Sequence, residues 1–260
     1  MNARILPGTL LGAARNEYLM HIRRWPLWCL PAGVLAILLA TGGLGFGTAR
    51  PDPASMTRLV GQQAIGVNLL VLVVIGALLA DRWVRDRQLG VEELLFATPA
   101  SPVSRLWGKY LGVLAASASP LLVVWAVLAA RLAIHYGDPS VAGTAARAYL
   151  VLVLPGLAFV AAFGLVFPRL LGVRLYQVLF IGYWFWGNLV PQHVMPTLSG
   201  TWLTPIGKYA DAGLFAHSSH SMLLTGGGSM GAAYGSIALL AGVTVLLLTG
   251  FGLAERRRLR

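Results

Sequence analysis

Six apolar stretches, at 26–46, 60–80, 110–131, 148–167, 174–190 and 232–253, leave this chain little polar surface with which to face water. A hydrocarbon core about 30 Å thick takes about 20 apolar residues as a helix, and each stretch meets or approaches that length. The fifth is short, and no charge interrupts the chain between Leu175 and Gly207, so its end is not marked. Composition agrees: 57% of the 260 residues are hydrophobic and 11% charged, against about 25% charged in soluble proteins. The expected fold is all-α, a polytopic integral membrane protein with six transmembrane helices in one domain. The net charge of +11 would suggest nucleic acid as a partner of a soluble protein. Here the basic residues flank apolar runs, as topology determinants do, so no nucleic-acid partner is expected. One cysteine, Cys29, excludes an intrachain disulfide and a cysteine-based metal cluster.

Lys and Arg in the connections set the orientation. Arg4, Arg15, Arg23 and Arg24 precede the first span; Arg82, Arg85, Arg87, Arg105 and Lys109 follow the second. Arg169 and Arg174 follow the fourth, and Arg256, Arg257, Arg258 and Arg260 end the chain. The opposite side receives Arg50, Arg58, Arg131, Arg147 and Lys208. Both termini are therefore expected in the cytoplasm, and an even number of spans, which puts them on one side, agrees.

Two connections are unusual. In 8–25, Leu10, Leu11, Ala14, Tyr18, Ile22 and Trp25 recur at spacings of three or four, the pattern of an amphipathic helix lying in the cytoplasmic membrane interface. An ordinary cytoplasmic lead-in is the alternative. The segment 191–231 is too apolar for a free loop, is broken by Pro191, Pro196 and Pro205, and ends in Gly226, Gly227 and Gly228. It is expected to fold back on the extracytoplasmic helix ends, or to dip in as a re-entrant segment before the last span.

The cytoplasmic connection 81–109 holds nine of the 29 charged side chains. Leu89 to Ala97 fits a two-turn helix: Gly90 loosens its start, Glu92 and Glu93 suit the positive end of the dipole, and Pro99 stops it. Leu94, Leu95 and Phe96 then form an apolar cluster beside two carboxylates. That cluster fits a groove on a partner protein, or a place in the membrane interface with the arginines on lipid phosphates.

The string GVEELLFATPASPVSRLWGKYLG, Gly90 to Gly112, resembles the loop between the second and third spans of ABC transporter permeases of the type-2 exporter class. Gly90, Glu93, Leu94, Leu95, Ala97, Thr98, Pro99, Ser104, Arg105, Gly108 and Lys109 occupy the corresponding places. The motif covers a small part of the chain, whereas the layout (interfacial helix, six spans, apolar outer segment) covers nearly all of it. The resemblance implies a cytoplasmic coupling helix near Leu89–Ala97, with Gly90, Glu92, Glu93, Leu94, Leu95, Phe96, Thr98 and Arg105 engaging ABC ATPase subunits. It also implies pairing with a second permease copy or a sister permease, surrounded by lipid in a prokaryotic cytoplasmic membrane. A substrate path between the second and fifth spans is implied in the same way. In those spans Gln62, Gln63, Asn68, Gln177, Tyr183, Trp186 and Asn188 supply polar groups, which structural hydrogen bonding between helices explains equally well. Tyr183, Trp184 and Trp186 also suit interfacial anchors.

This chain has no nucleotide site of its own. Gly108-Lys109 and Gly207-Lys208 are each followed by Tyr and lack the upstream glycine of a P-loop, and Leu198-Ser199-Gly200 runs on into Thr201 and Trp202. No cofactor is expected on it; ATP and Mg would sit on the partner ATPase, and no catalytic residue is assigned. His217 and His220 are three apart, with Asp211 and His193 as the only conceivable further ligands, so no metal site is expected. No span carries a central charge, which argues against ion-coupled transport.

Overall fold

The apolar runs fold as helices that outlast their hydrophobic windows, because flanking polar residues continue the same hydrogen-bond ladder. A computed structural model describes residues 7–40, 51–82, 102–190, 194–215 and 228–258, and among these every regular element is helical. Helix α1 spans Pro7–Ile22, α2 Trp25–Ala40, α3 Pro53–Leu79 and α4 Pro102–Tyr136. Helix α5, Val141–Ala148, continues through a π turn at Tyr149–Val153 into α6, Leu154–Leu171. Then follow α7, Val173–Leu189, α8, Lys208–Leu214, and α9, Met230–Arg258.

Proline opens α3 at Pro53, behind Asp52, and opens α4 at Pro102, where its missing N–H leaves no bond unmade. Pro120 lies inside α4, yet the helix runs through it to Tyr136. Gly137 at φ 62° and Gly172 at φ 81° reverse the chain after α4 and after α6, in backbone that favours glycine.

Among the described residues four helical units are long and apolar enough to cross a membrane: α3, α4, the continuous α5–α6 and α9. The chain is thus an integral membrane protein by the length and composition of its helices. The remaining apolar helices are shorter. Helix α2 has 16 residues and α7 has 17, about 25 Å at the helical rise of ~1.5 Å per residue. The stretch expected at 26–46 is helical to Ala40, and 41–50, with the glycine-rich end of that stretch, lies outside the described residues. The stretch expected from 60 begins instead at Pro53, and that expected at 110–131 extends over Pro102–Tyr136. Hydropathy locates the apolar middle of a helix, whereas capping and hydrogen bonding locate its ends.

Helix α3 sits at the centre, packed by α2, α5, the π turn, α6 and α7. Leu72, Ile75 and Leu79 of α3 are sealed against Leu157, Val160 and Leu165 of α6 in one continuous core. Helix α4 packs on α1, α6 and α9. The outward faces of α7 and α9 stay apolar, with Val178, Ile181, Val245 and Leu246 exposed as membrane-facing side chains must be.

The connection expected to be interfacial forms a helix, and its contacts are those of a bundle member. Helix α1 lies along α4, presenting Leu10, Ala13, Ala14, Glu17, Tyr18 and His21 inward. Leu11 points away at 67% exposure, and Trp25 beyond the helix is exposed as well. Leu10, Ala14 and Tyr18 thus keep the side their spacing assigns, while a carboxylate and an imidazole share it.

From Leu203 to Phe215 the chain folds in among the helices, whereas Val194, Met195 and Trp202 stay at least half exposed. Ile206 is fully buried; Pro205 abuts Gly156 of α6; Trp202 packs on Gly235 of α9, and Ser236 Oγ donates to the Trp202 carbonyl at 2.6 Å.

Candidate functional site

Charge gathers at the end of the bundle where α3 stops and α4 starts, the two stems of 83–101. Arg82 follows the last turn of α3 and Lys109 lies in the second turn of α4. Glu17 of α1 meets both: it pairs with Arg82 and lies 3.8 Å from Lys109 Nζ. These are buried ions, with Arg82 3% and Glu17 13% exposed. Removing one partner from such a set leaves an uncompensated charge, which costs far more than a surface pair does.

Two glycines make the approach possible. A Cβ at Gly112 would strike the Ala14 carbonyl and lie 2.6 Å from Glu17 Cβ, and one at Gly108 would lie 2.8 Å from Ala13 Cβ. Gly108 and Gly112 are four apart on one face of α4, the spacing that lets helix backbones approach closely in membranes. Farther along the contact, Tyr18 and Ser119 hydroxyls share a hydrogen bond at 3.4 Å.

A second contact ties the same end together. Arg169 at the end of α6 pairs with Glu255 in α9 at 2.6 Å, and Arg105 in the first turn of α4 lies within electrostatic reach of Glu255. Gly252 of α9 abuts Val103. Each stem of 83–101 is therefore fastened to a neighbour, the first to α1 and the second to α1, α6 and α9.

His21, one turn beyond Glu17, is 2% exposed and neither ring nitrogen has a hydrogen-bond partner. Burial, reinforced by Arg82 and Arg24, pulls its pKa from 6.5 to about 3, so the imidazole is neutral at ordinary pH. The folded form then takes up fewer protons than the unfolded form between about 3 and 6.5, and stability falls as pH drops through that window. His21→Leu is expected to raise the melting temperature in detergent slightly at pH 7.5 and more at pH 5. Equal shifts at both values would contradict a buried, neutral His21.

The polar residues expected to line a path occupy several places. Asn68 is fully buried and commits its amide, donating from Nδ2 to the Leu152 carbonyl at 3.0 Å and the Ile206 carbonyl at 3.1 Å. Leu152, which presents the first of these carbonyls, lies in the π turn just ahead of Pro155. Asn188 donates to Trp184 O at 2.8 Å, accepts from Thr204 Oγ1 at 3.1 Å, and through its carbonyl accepts from Lys208 Nζ at 2.6 Å. Burial pulls Lys208 down to about 8. Gln177 donates to Ala77 O at 3.0 Å, toward the far end of α3.

Asn68 and Asn188 are thus joined to one segment, 204–208, and Gln177 stands apart. Gln62 is exposed and Gln63 half-buried. Tyr183 and Trp186 lie on the outward face of α7, ring centroids 5.6 Å apart, beside an open groove of about 870 Å³ shared with Met195, Pro196 and Leu198. Trp184, a candidate interfacial anchor, is instead buried and donates from Nε1 to the Leu69 carbonyl at 2.7 Å.

Gly90, Glu92, Glu93, Leu94, Leu95, Phe96 and Thr98 lie outside the described residues, as do His193, His217 and His220. Asp211 is buried in α8 against Gly61 of α3. Among the described residues no group of three or more His, Cys, Asp or Glu is placed to hold a metal ion.

The spacing sets Glu17, with Asn16, Arg23 and Arg24, away from the apolar side of this helix, whereas the structure turns it inward onto Arg82 and Lys109. His21 carried no sequence signal, and the partners of Glu17 are distant in the chain. The spacing of Gly108 and Gly112 was a signal, because only a closely approaching neighbour requires two glycines on one helix face. Comparison with family models, with curated proteins and with solved structures finds no match to this chain.

Proposed function

We propose that this protein is the permease subunit of an ATP-driven ABC exporter, coupling ATP hydrolysis on separate subunits to movement of a substrate across a prokaryotic cytoplasmic membrane. In this reading α2 and α7 complete six crossings, both termini are cytoplasmic, and 191–231 is extracytoplasmic. The permease works as a dimer with itself or with a sister chain. The ATPases grip 83–101, where Glu92, Glu93, Leu94, Leu95 and Phe96 form the contact, and ATP-driven closure tilts α3 and α4.

One observation carries the reading. The string Gly90–Gly112, with its resemblance to type-2 exporter loops, runs from the gap between α3 and α4 into α4 itself. The fastening of both stems to other helices supports it further, because a push on 83–101 reaches α1, α6 and α9 without passing through a loose joint. The opposite half of the bundle, where 204–208 bonds to α3 and α7, is where an outward path would open. The apolar faces of α7 and α9 supply surface for a second permease and for lipid.

The test is co-purification from native membranes with an ATPase subunit. Glu93→Ala and Phe96→Asp are expected to lower ATPase association at least tenfold and abolish ATP-dependent transport, with membrane insertion unchanged. Full retention of the ATPase by both variants would exclude coupling through this cluster. Absence of any ATPase from the wild-type preparation would favour a membrane scaffold whose basic loop binds anionic lipid.

A further inference from the structure

We propose that Glu17 is a positioning residue that locks α1 to both stems of 83–101, so that α1 moves with α3 and α4 as one input unit. The functional side of this inference rests on the permease reading, whereas the lock itself stands on the geometry of α1, α3 and α4 alone.

A helix that merely floats in the membrane interface keeps its charges toward water and its apolar face toward lipid. Helix α1 does otherwise. Its one carboxylate is turned inward between Arg82 and Lys109, while Leu11 and Met20 are exposed. The two cations belong to different helices and are joined through 83–101, so a single side chain spans the base of that segment. Arg82 is 3% exposed, and a buried guanidinium that loses its carboxylate is costly enough to drive rearrangement.

Gly108 and Gly112 bring the α1 backbone against α4 over the same two turns, and Tyr18 with Ser119 extends the contact. Close packing alone would hold α1 to α4. What packing does not provide is the tie to α3, which passes through Arg82. Glu17 therefore decides whether a separation of the two stems is resisted and shared with α1, or is absorbed by 83–101.

The lock can be tested on the full-length chain in lipid vesicles, using a Cys29→Ser background with spin labels at Arg15 of α1 and Gln62 of α3, both exposed. A single narrow Arg15–Gln62 distance distribution is expected for the parent. Glu17→Gln should broaden it at least twofold or add a second population, and Arg82→Gln should do the same. Glu17→Asp should leave it mostly narrow. An unchanged distribution in Glu17→Gln or in Arg82→Gln overturns the lock. If Glu17→Gln does not fold, the other two variants still decide: a narrow distribution in Arg82→Gln, or a broad one in Glu17→Asp, overturns it.

Adding ATP and vanadate to a co-purified ATPase complex supplies the second arm. The parent distribution should shift, and the ATPase rate in Glu17→Gln should lose its dependence on the permease while association persists. If no ATPase co-purifies, the permease reading fails and the distance measurement still judges the lock. If the ATPase associates and the rate in Glu17→Gln keeps its full dependence on the permease, α1 is no part of the input unit.

Discussion

Gly156→Ala is expected to lower the apparent melting temperature in detergent by roughly 5–10 °C, and Gly156→Val by more. Gly156 lies in the first turn of α6, and a Cβ there would run into the Pro205 carbonyl oxygen, with Leu72 Cδ1 at 3.0 Å on another side. The first of these is backbone, so no rotamer change can make room. Overpacking of this kind costs about 1–3 kcal/mol. The displacement has a second consequence, because Pro205 precedes Ile206, whose carbonyl accepts from Asn68 at 3.1 Å. Pulling that carbonyl away strands a buried polar group, at roughly 1–3 kcal/mol more. For a chain of this length about 2–4 °C accompanies each kcal/mol. Thermal scans followed by circular dichroism check the value, and an unchanged melting temperature would mean that 204–208 is not seated on α6. Gly66, beside which nothing lies within 4 Å, is the control: Gly66→Ala should be neutral or slightly stabilising.

The second large effect depends on pH. Asp211 is 2% exposed in α8, its Oδ1 lacks a hydrogen-bond partner, and burial raises its pKa from 3.8 to about 7. Between those values the folded carboxyl holds a proton that the unfolded one has released. Stability is therefore lost as pH rises through this window, and the loss is complete above about 7. About three units at ~1.4 kcal/mol each gives an order of 4 kcal/mol. Asp211→Asn keeps the shape and removes the charge. It should melt close to the parent at pH 4 and roughly 8–16 °C above it at pH 8. Equal melting curves at pH 8 would show that the carboxylate finds a partner or water when ionised. The slope is opposite in sign to that of His21, so the two variants should tilt the pH–stability profile in opposite directions.

Both predictions concern the segment 194–215 or the ends of the bundle, where one-dimensional reasoning was weakest. The apolar runs were legible because a membrane helix needs only length and hydrophobicity, and both are local. The helix starts at Pro53 and Pro102 were readable in principle from proline at the first turn, although hydropathy windows alone set both too late. The inward seat of 194–215 was half legible: its lack of charge showed that it had to hide. Its seat on Asn68 depended on a π turn at Tyr149–Val153, some 80 residues away from Asn68 in the chain.

The candidate site shows the same division. Asn68, Gln177 and Asn188 stood out as polar groups in apolar helices, and each commits an amide to a backbone carbonyl. Their chemistry was visible and their partners were not. Glu17 looked like one more charge on a surface helix, because nothing local distinguishes a carboxylate facing water from one enclosed by Arg82 and Lys109.

Six apolar stretches determined by themselves that the chain is helical and made for a membrane, since backbone groups in lipid must bond within their own helix and the side chains around them must be apolar. Which faces meet was decided only in three dimensions. Glycines at 76, 112, 156 and 164 set how closely helices approach, and ion pairs and side-chain bonds to backbone carbonyls fix their register. Such contacts join residues far apart in sequence, and their energy exists only after the helices have come together.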